Sequence, residues 1–385
     1  MSIYEIGLLG DIADADRDII SSTISRLAAE FSLEVGKDVS IRFGDDFANR
    51  DKHAAATAAY FGGAAQVHQA VAQAAIAASL PVIPTVPADG DFGAMVPPFL
   101  QSANGLRRRR DDPEASELGL AILECIGLLR RQRRAFVSYR RIESRNAAIQ
   151  LHDLLSARGF DVFLDTHDIL PGEPFQEVLW HRLCDSDVMV MLDTPTYFES
   201  KWTRQELGRA RAKEIHVLRV VWPGHTPNLH TDFGETIYLD QAELAGGDGP
   251  IVEDTVDRIV LAVERLRSRS IASRYMSITG KLRAEVAKIG GEIEGIGVHR
   301  AISMRLQDHT KLWAYPIVGI PTAELLNDVV NKAQRAEQQG RPFLVYDHIG
   351  IHEQWNQHLK WLDENISSVR AIRVAEAGWM LAGWE

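Results

Sequence analysis

The first ninety residues alternate between two hydrophobic patterns. Continuous apolar runs predict buried strands, and apolar positions three or four residues apart predict helices. The predicted strands cover residues 3–10, 39–43 and 81–87, and the predicted helices cover residues 18–31 and 66–80. Because strands that alternate with helices are typical of a doubly wound α/β unit, we predict one such unit at the start of the chain.

The first unit carries glycines near its presumed strand ends, namely Gly7, Gly10, Gly62 and Gly63. Sheets of this kind bind ligands at strand ends, so one interpretation is a nucleotide-like sensor pocket. The other interpretation is ordinary turn chemistry, because no complete phosphate-loop spacing is present. We predict a Rossmann-like domain over residues 1–104 as a candidate sensor, ending in the proline- and glycine-bearing segment 88–104.

A predicted linker helix occupies residues 105–133. Asp112 as N-cap, Pro113 at the first helical position and Glu114 in the first turn favour a helix start, followed by a helix over 117–131. The four arginines at 107–110 precede it. We expect them to pair with acidic residues or with another subunit, since so short a basic run is weak evidence for nucleic-acid binding.

A second alternation begins at residue 135 and is cleaner than the first. The run Val-Met-Val-Met-Leu at 188–192 is apolar throughout, as in parallel strands that are covered on both faces. Strands are predicted at 135–138, 160–165, 188–192, 216–222 and 236–239, and helices at 147–155, 175–183, 200–210 and 254–266. Five strands with intervening helices predict a flavodoxin-like domain over residues 134–267.

The last third predicts another α/β domain, residues 268–385, of unknown role. Its strands are predicted at 312–317, 342–346 and 369–374, and its helices at 281–289, 322–338 and 353–365; the preceding helix continues to about residue 275. His348, His352 and His358 invite a metal hypothesis, but they have no metal-ligand spacing, and we interpret them as ordinary histidines. No metal site is expected.

Composition narrows the function classes. The chain has 385 residues, 45% of them hydrophobic and 25% charged, with a formal net charge of −11. An acidic balance disfavours a general nucleic-acid binder. With only two cysteines, Cys125 and Cys184, we expect reduced, buried thiols and a cytoplasmic protein. No signal peptide or membrane span is predicted.

The sharpest candidate chemistry lies in the predicted helix at 200–210. Trp202 and Glu206 are four residues apart there, so they lie one turn apart on the same face. An aromatic plate beside a carboxylate suits a ligand that has both a flat ring and a sugar. The alternative is that Glu206 is a surface residue paired with Arg209 and that Trp202 is a core or interface aromatic.

Four short sequence motifs within residues 134–267 resemble those of the Toll/interleukin-1 receptor (TIR) domain of bacteria. They are Phe-Val-Ser-Tyr-Arg-Arg at 136–141, Asp165 with Leu-Pro-Gly-Glu at 170–173, Asp-Thr-Pro-Thr-Tyr at 193–197, and Trp202 with Glu206-Leu207. Their order and spacing carry the resemblance, since any one alone would be weak. The family more often has serine after the third strand, where this chain has Asp193.

The resemblance implies an NAD⁺ nucleosidase, because many bacterial TIR domains cleave the nicotinamide–ribose bond, often in anti-phage defence, and some cyclise the product. Glu206 matches the family's catalytic glutamate. The implied substrate-binding residues are Ser138, Tyr139, Arg140, Arg141, Asp165, Tyr197 and Trp202. The implied BB loop, which often completes the site across a subunit interface, contains Asp168, Leu170, Pro171, Gly172 and Glu173.

These residues suit the chemistry on physical grounds. A carboxylate can stabilise the positive charge that forms on ribose when nicotinamide leaves, and an arginine can bind the pyrophosphate. NAD⁺ is then a substrate, and no cofactor or metal is expected. We expect a homo-oligomer, activated by a small molecule or a protein, with no membrane or nucleic-acid partner. The alternatives are a non-catalytic TIR scaffold and a nucleoside N-glycoside hydrolase or transferase.

Overall fold

The protein forms two compact units in a computed structural model that describes residues 2–129, 132–164, 175–227, 234–338 and 340–384. The first unit combines residues 1–129, 272–348 and 354–385, and the second combines residues 130–271 and 349–353. The first unit therefore contains the first predicted flanking stretch and most of the second, apart from residues 268–271 and 349–353. The predicted domain boundaries themselves stay a prediction.

The first sheet is parallel and has the strand order β2-β1-β3-β4-β5, a flavodoxin-like arrangement. Its strands are β1 (Tyr4–Gly10), β2 (Val39–Phe43), β3 (Ala55–Phe61), β4 (Val82–Val86) and β5 (Leu106–Arg107). Its helices are α1 (Asp14–Ala29), α2 (Gln69–Ala77), α3 (Phe92–Met95) and α4 (Ser116–Cys125). The sequence did not predict β3, because four of its seven residues are alanines and alanine is depleted in strands.

The helix start predicted at Asp112 is corrected by the structure. Helix α4 begins at Ser116, and the Asp112 carboxylate accepts the backbone N–H groups of Ser116 and Glu117 from the turn before it, both at 2.9 Å. The expected pairing of the arginine run with acidic residues is confirmed for three of the four. The pairs are Arg108–Asp16, Arg109–Asp111 and Arg110–Asp89.

The second unit is built on a five-stranded parallel sheet of the order β7-β6-β8-β9-β10, which confirms the predicted flavodoxin-like fold. Its strands are β6 (Arg134–Ser138), β7 (Asp161–Phe163), β8 (Val188–Asp193), β9 (His216–Val221) and β10 (Thr236–Tyr238). Its helices are α5 (Arg141–Ala157), α6 (Phe175–Asp185), α7 (Lys201–Ala212) and the first part of α8 (Glu253–Lys288).

Apolar side chains cover both faces of this sheet, as its unbroken hydrophobic strands predict. On one face Val137, Val190 and Leu218 pack with Leu151 of α5 and Val263 of α8. On the other face, the alternate strand positions pack against α6 and α7. This second cluster contains Phe136, Met189, Met191, Val217, Leu179, Leu183, Leu207 and Ala210. The sheet is thus the middle of three layers, and α7 is held firmly against it.

The third sheet belongs to the first unit and is mixed. Its strands are β11 (Glu292–Ile296), β12 (Ile302–Arg305), β13 (Lys311–Ile317), β14 (Phe343–Tyr346) and β15 (Arg370–Arg373), paired in that order. The first three are antiparallel and the last three parallel. Its helices are α9 (Ala323–Arg335), α10 (Glu353–Asn365) and α11 (Ala377–Ala382), together with the second part of α8.

The sequence missed two features of this region. Strands β11 and β12 were not predicted, because both are short and β11 contains Gly295 and a register shift. Helix α8 was predicted to break between about residues 275 and 281, but it is continuous to Lys288. A Cβ at Gly280 would touch nothing within 4 Å, so this glycine marks no close approach. Within the described residues, no helix combines the length and apolar character needed to cross a membrane.

Candidate active site

Helix α7 presents Glu206 on its buried face. Ser200 caps the helix by accepting the Trp202 backbone N–H at 3.3 Å. The spacing of apolar residues places Leu207 and Ala210 against the sheet. Glu206 lies on the same buried side of the helix although it is charged. Its exposed fraction is 7%, which is rare for a glutamate unless the carboxylate has partners.

The Ser138 hydroxyl bonds directly to the Glu206 carboxylate, and the Tyr197 hydroxyl bonds in turn to Ser138. Ser138 Oγ donates a hydrogen bond to Glu206 Oε2, and it lies 2.6 Å from the Tyr197 hydroxyl. A serine hydroxyl has one proton, so with that proton directed at an ionised Glu206 the Tyr197 hydroxyl must donate to Ser138. We call this chain of hydrogen bonds, Tyr197–Ser138–Glu206, the relay. It therefore holds the carboxylate in place through hydroxyl donors.

Tyr197 stays protonated at neutral pH. Burial raises the pKa of its phenol well above the usual value, and the charge of Glu206 raises it further. The hydrogen bond between Tyr197 and Ser138 lowers the pKa of the phenol, but its effect is smaller than those of burial and of the Glu206 charge. The phenol is therefore a permanent donor to Ser138 over the physiological range.

The relay lies where this sheet architecture binds ligands. Ser138 ends β6, and Tyr197 follows β8, the strand that pairs with β6. In the observed strand order these two neighbours form the topological switch point, and their carboxyl ends open a crevice there. The nearby Asp193 carboxylate is fully buried and forms an ion pair with Arg219 at 2.7 Å. We therefore assign it a role in stabilising the sheet and none in binding a ligand.

A cavity of about 430 Å³ lies beside Glu206. That volume falls in the range of small-molecule sites. Trp202 is 41% exposed and forms part of the wall, one helical turn from Glu206. The lining residues are Tyr139, Arg140, Arg141, Ile142, Leu179, Ser200, Trp202, Thr203 and Glu206. The cavity thus combines an aromatic face, two guanidinium groups and one carboxylate.

The two arginines supply the positive charge of the cavity. Arg140 is half-buried, and its Nε donates to the Thr196 hydroxyl at 3.3 Å. Glu143 accepts the Thr196 backbone N–H at 3.2 Å and so fixes the same loop. Arg141 is exposed at the start of α5. Planar guanidinium groups suit the oxygen atoms of a phosphate, so the cavity can take an anionic ligand.

The structure brings most of the predicted site residues together in two layers. Five of them line the cavity: Tyr139, Arg140, Arg141, Trp202 and Glu206. Ser138 and Tyr197 lie behind Glu206, buried at 2% and 0% exposure, and position its carboxylate. Asp165 and the predicted BB-loop residues Asp168, Leu170, Pro171, Gly172 and Glu173 lie outside the described residues.

Four lining residues were not predicted: Ile142, Leu179, Ser200 and Thr203. Helical spacing could have found Thr203, which is three residues before Glu206 and therefore on its face. Its hydroxyl donates to the Tyr197 carbonyl oxygen. The alternative that Glu206 pairs with Arg209 on the surface is disfavoured, because Arg209 lies over the Trp180 ring at 3.8 Å and Glu206 is buried.

In the described part of the chain, no group of three or more histidine, cysteine, aspartate or glutamate side chains is arranged to hold a metal ion. Neither Cys125 nor Cys184 is part of a disulfide, and both are buried. Cys184 donates a hydrogen bond from its thiol to the Gly350 carbonyl oxygen at 3.1 Å. Both sulfur atoms are thus packed into the fold, and neither lines the cavity beside Glu206.

Comparison with known proteins agrees with this geometry. The family model for the TIR domain matches residues 135–249. The chain is also 31% identical over 112 residues to Disease resistance-like protein CSA1 of Arabidopsis thaliana. That match covers 27% of this chain and 9% of the plant protein. Residues 135–249 are therefore a TIR domain, and the crevice beside Glu206 is at its switch point.

A solved structure, the tagatose-6-phosphate ketose/aldose isomerase from Escherichia coli, aligns with 71% of this chain and 83% of its own length. The identity is 13% and the TM-score 0.18, so this similarity carries no argument.

Proposed function

We propose that the TIR domain cleaves NAD⁺ at the bond between nicotinamide and ribose. One observation carries the proposal: the buried Glu206 carboxylate lines a cavity that also holds the Trp202 ring, at the switch point of the sheet. A carboxylate is the group that such a reaction needs, because positive charge develops on the ribose in the transition state. NAD⁺ is the substrate, and no further cofactor takes part.

The reaction breaks the bond between ribose C1′ and the nicotinamide nitrogen. The bonding electron pair leaves with the nitrogen, so nicotinamide departs neutral and the ribose ring gains positive charge. Glu206 stabilises this oxocarbenium-like ring electrostatically. Water then adds to C1′ and releases a proton, which gives ADP-ribose; attack by an adenine nitrogen instead closes a cyclic product.

The other lining residues bind and orient the substrate. The Trp202 indole offers a face for stacking with a flat ring. Arg140 and Arg141 lie at the same cavity and match the pyrophosphate oxygens, while Tyr139 completes the wall. Ser138 and Tyr197 keep the carboxylate in one orientation, so its charge does not have to reorganise during the reaction.

We further propose that self-association activates the domain and that the predicted BB loop, from Asp168 to Pro174, contributes across the subunit interface. The role that fits best is defence against phage, triggered by a small-molecule or protein signal. The plant relative matched by this domain is named as a disease resistance-like protein, which agrees with a defence role.

Product analysis of NAD⁺ turnover tests the proposal. Purified full-length protein at rising concentrations is incubated with NAD⁺, and nicotinamide, ADP-ribose and cyclic product are separated by chromatography. We expect nicotinamide release that rises more steeply than protein concentration. Glu206→Gln should lower the rate at least ~100-fold, in line with the loss of an electrostatic catalytic group. Glu199→Gln, an exposed glutamate just before α7, is the matched control and should retain activity.

Two other outcomes would replace the proposal. If wild-type and Glu206→Gln proteins are both inert when oligomeric, the domain is an interaction module. If the protein releases free bases from nucleosides and leaves NAD⁺ intact, it is a nucleoside N-glycosidase.

A further inference from the structure

We propose that the first unit binds a small organic anion with an apolar body, in a cavity of about 370 Å³ at the amino edge of its first sheet. The site is separate from the NAD⁺ chemistry, because all the residues that line it belong to the first unit. Ala55 begins β3 and Pro81 directly precedes β4, which places the cavity at the amino ends of two neighbouring parallel strands.

The walls of the cavity are apolar. Alanine methyl groups dominate the lining, which includes Ala55, Ala56, Ala74 and Ala78, and Leu80 extends the apolar surface. Small side chains leave a smooth space that a compact hydrocarbon or aromatic body can fill with close contacts. The volume lies near the lower end of the range for small-molecule pockets, so the ligand is small.

The charged groups of the cavity are all cationic. Arg50, Lys52 and Arg300 line it, and no aspartate or glutamate does. Arg300 is held in place, because its Nε donates to the Cys125 carbonyl oxygen at 2.8 Å and its guanidinium lies over the Tyr275 ring at 4.7 Å. Three cations without an acidic lining residue favour an anionic ligand head.

The backbone around Arg300 is unusual. His299 and Arg300 both have positive φ, 60° and 56°, a region that non-glycine residues avoid. Such strain persists where the surrounding structure over-determines it, and it clusters at ligand sites. With this backbone conformation, the Arg300 side chain lines the cavity.

Tyr275 contributes the face of its ring to the cavity wall. The side chain is 5% exposed, and the Arg300 guanidinium lies over the ring, so a cation and an aromatic surface stand side by side at the cavity.

The titratable groups agree with a binding site for an anion. Burial lowers the pKa of the Arg50 guanidinium, although the charge of Glu5 opposes this effect. An anion in the cavity would reverse the shift. Burial also raises the pKa of the Cys125 thiol to about 11, so Cys125 is a neutral part of the wall and not a nucleophile.

Fluorescence titration with 8-anilinonaphthalene-1-sulfonate, an aromatic body with one anionic head, tests the site in the full-length protein. We expect saturable binding of one equivalent to the first unit. Arg50→Gln removes a cation and Ala74→Trp places a large ring at an exposed lining position, and each should weaken binding about tenfold or more. Lys37→Gln, an exposed lysine outside the cavity, is the charge control and should bind as wild type. Circular dichroism checks that each variant is folded.

Competition identifies the ligand chemistry. Sodium decanoate and phenyl phosphate carry anionic heads on different bodies, and decanol is the neutral match for decanoate. At least one anion should displace the probe, and decanol should displace it about tenfold less well than decanoate. The stronger anion distinguishes a lipid-like carboxylate from an aromatic phosphate as the source. Unchanged binding in both folded variants, or equal displacement by decanol and decanoate, would overturn the proposal.

Discussion

The two parallel sheets have the same strand order, but their switch points differ. Glycines pack closely at the first, and side chains line a cavity at the second. In the first sheet, β1 ends at Gly10, whose N–H donates to His68 Nδ1 at 3.2 Å. A Cβ at Gly10 would lie 2.2 Å from the Phe61 carbonyl oxygen of the paired strand, so the backbones meet there. In the second sheet, β6 ends at Ser138, whose hydroxyl reaches Glu206 beside a cavity.

The same topology therefore decides where a site can form, and the side chains decide whether it does. Glycines in the first sheet and just after its strands admit close packing, as at Gly7 under the Phe47 ring and at Gly63, after β3, beside Asp11. Close packing at these glycines agrees with the turn-chemistry interpretation, and the nucleotide-pocket interpretation stays a prediction. In that unit the described cavity with cationic lining is at the amino edge instead.

Two of the buried glutamates, Glu124 in the first unit and Glu206 in the second, differ in a similar way. Glu124 is 6% exposed and Glu206 is 7% exposed. Glu124 bonds to Lys332 at 2.6 Å and to His299, within the first unit. Glu206 accepts from a serine and lines a cavity. A carboxylate that is matched by cations stabilises the fold, whereas one beside a cavity is available to a ligand.

The largest expected effect comes from adding a methyl group at a position of the first sheet that has no space for it. Gly10→Ala should destabilise the first unit by about 3 kcal/mol, because the new methyl group meets backbone and φ is +85°. Gly36→Ala is the control: φ is +93° but nothing lies within 4 Å, so about 1 kcal/mol is expected. Thermal unfolding followed by circular dichroism measures both. Equal losses of stability in the two variants would show that the backbones are not closely packed at Gly10.

Removal of the Glu124 charge should have the next largest effect. Burial alone would raise the pKa of Glu124, but the His299 hydrogen bond and the Lys332 charge hold it well below its usual range. Glu124→Gln should therefore lower the free energy of unfolding by ~2–3 kcal/mol at pH 7, as for a broken buried pair.

The sign of this effect fixes its pH dependence. A depressed folded pKa gives stability that is present above the unfolded value, about 4.3, and is lost as the pH falls. The wild-type advantage should shrink below about pH 4 in denaturant titrations. Glu117→Gln, exposed on the same helix, should change little at any pH. A difference that is independent of pH would refute the ion-pair account.

In the second unit, Ser138→Ala should affect both activity and stability. It removes the donor that orients Glu206, and we expect NAD⁺ cleavage to slow about tenfold. The free energy of unfolding should fall by about 1–3 kcal/mol, because the buried Tyr197 hydroxyl and Glu206 carboxylate lose their shared partner. Ser156→Ala, exposed on α5, is the control for both measurements. A large loss of stability with unchanged turnover per folded molecule would make Ser138 a structural residue only.

The smallest effect is expected for Tyr197→Phe, which removes the hydroxyl behind Ser138 while Ser138 itself remains. We expect turnover to fall about threefold, since Ser138 can still donate to Glu206. Tyr238→Phe, an exposed tyrosine, should behave as wild type. If Tyr197→Phe matches Ser138→Ala or exceeds it, the relay has a different order from the one inferred.

Sequence patterns predicted the second sheet well because its strands β8 and β9 are six-residue runs rich in residues that favour strands, although β7 and β10 have only three residues each. They missed β3 because its alanines carry no strand signal, and they missed the antiparallel pair β11 and β12 because the pair is short. Strand β3 depends on β1 and β4, which are distant from it in sequence.

The candidate site was predictable in part. Helical spacing and the TIR motifs brought Trp202 and Glu206 together, and the structure places both at one cavity. The order of Tyr197, Ser138 and Glu206 in a buried relay was not predictable, because it depends on how β6, β8 and α7 meet. The cavity of the first unit was missed for the same reason, since its lining comes from segments spread between residues 48 and 300.

A single-turnover experiment with Glu206→Gln and excess protein tests the central claim most directly. It separates binding of NAD⁺ from cleavage, which steady-state rates combine. If Glu206 acts on the developing ribose charge, the cleavage rate constant should fall at least ~100-fold while the dissociation constant for NAD⁺ stays within about threefold of wild type. A variant that binds NAD⁺ and cleaves it at the wild-type rate would contradict the account.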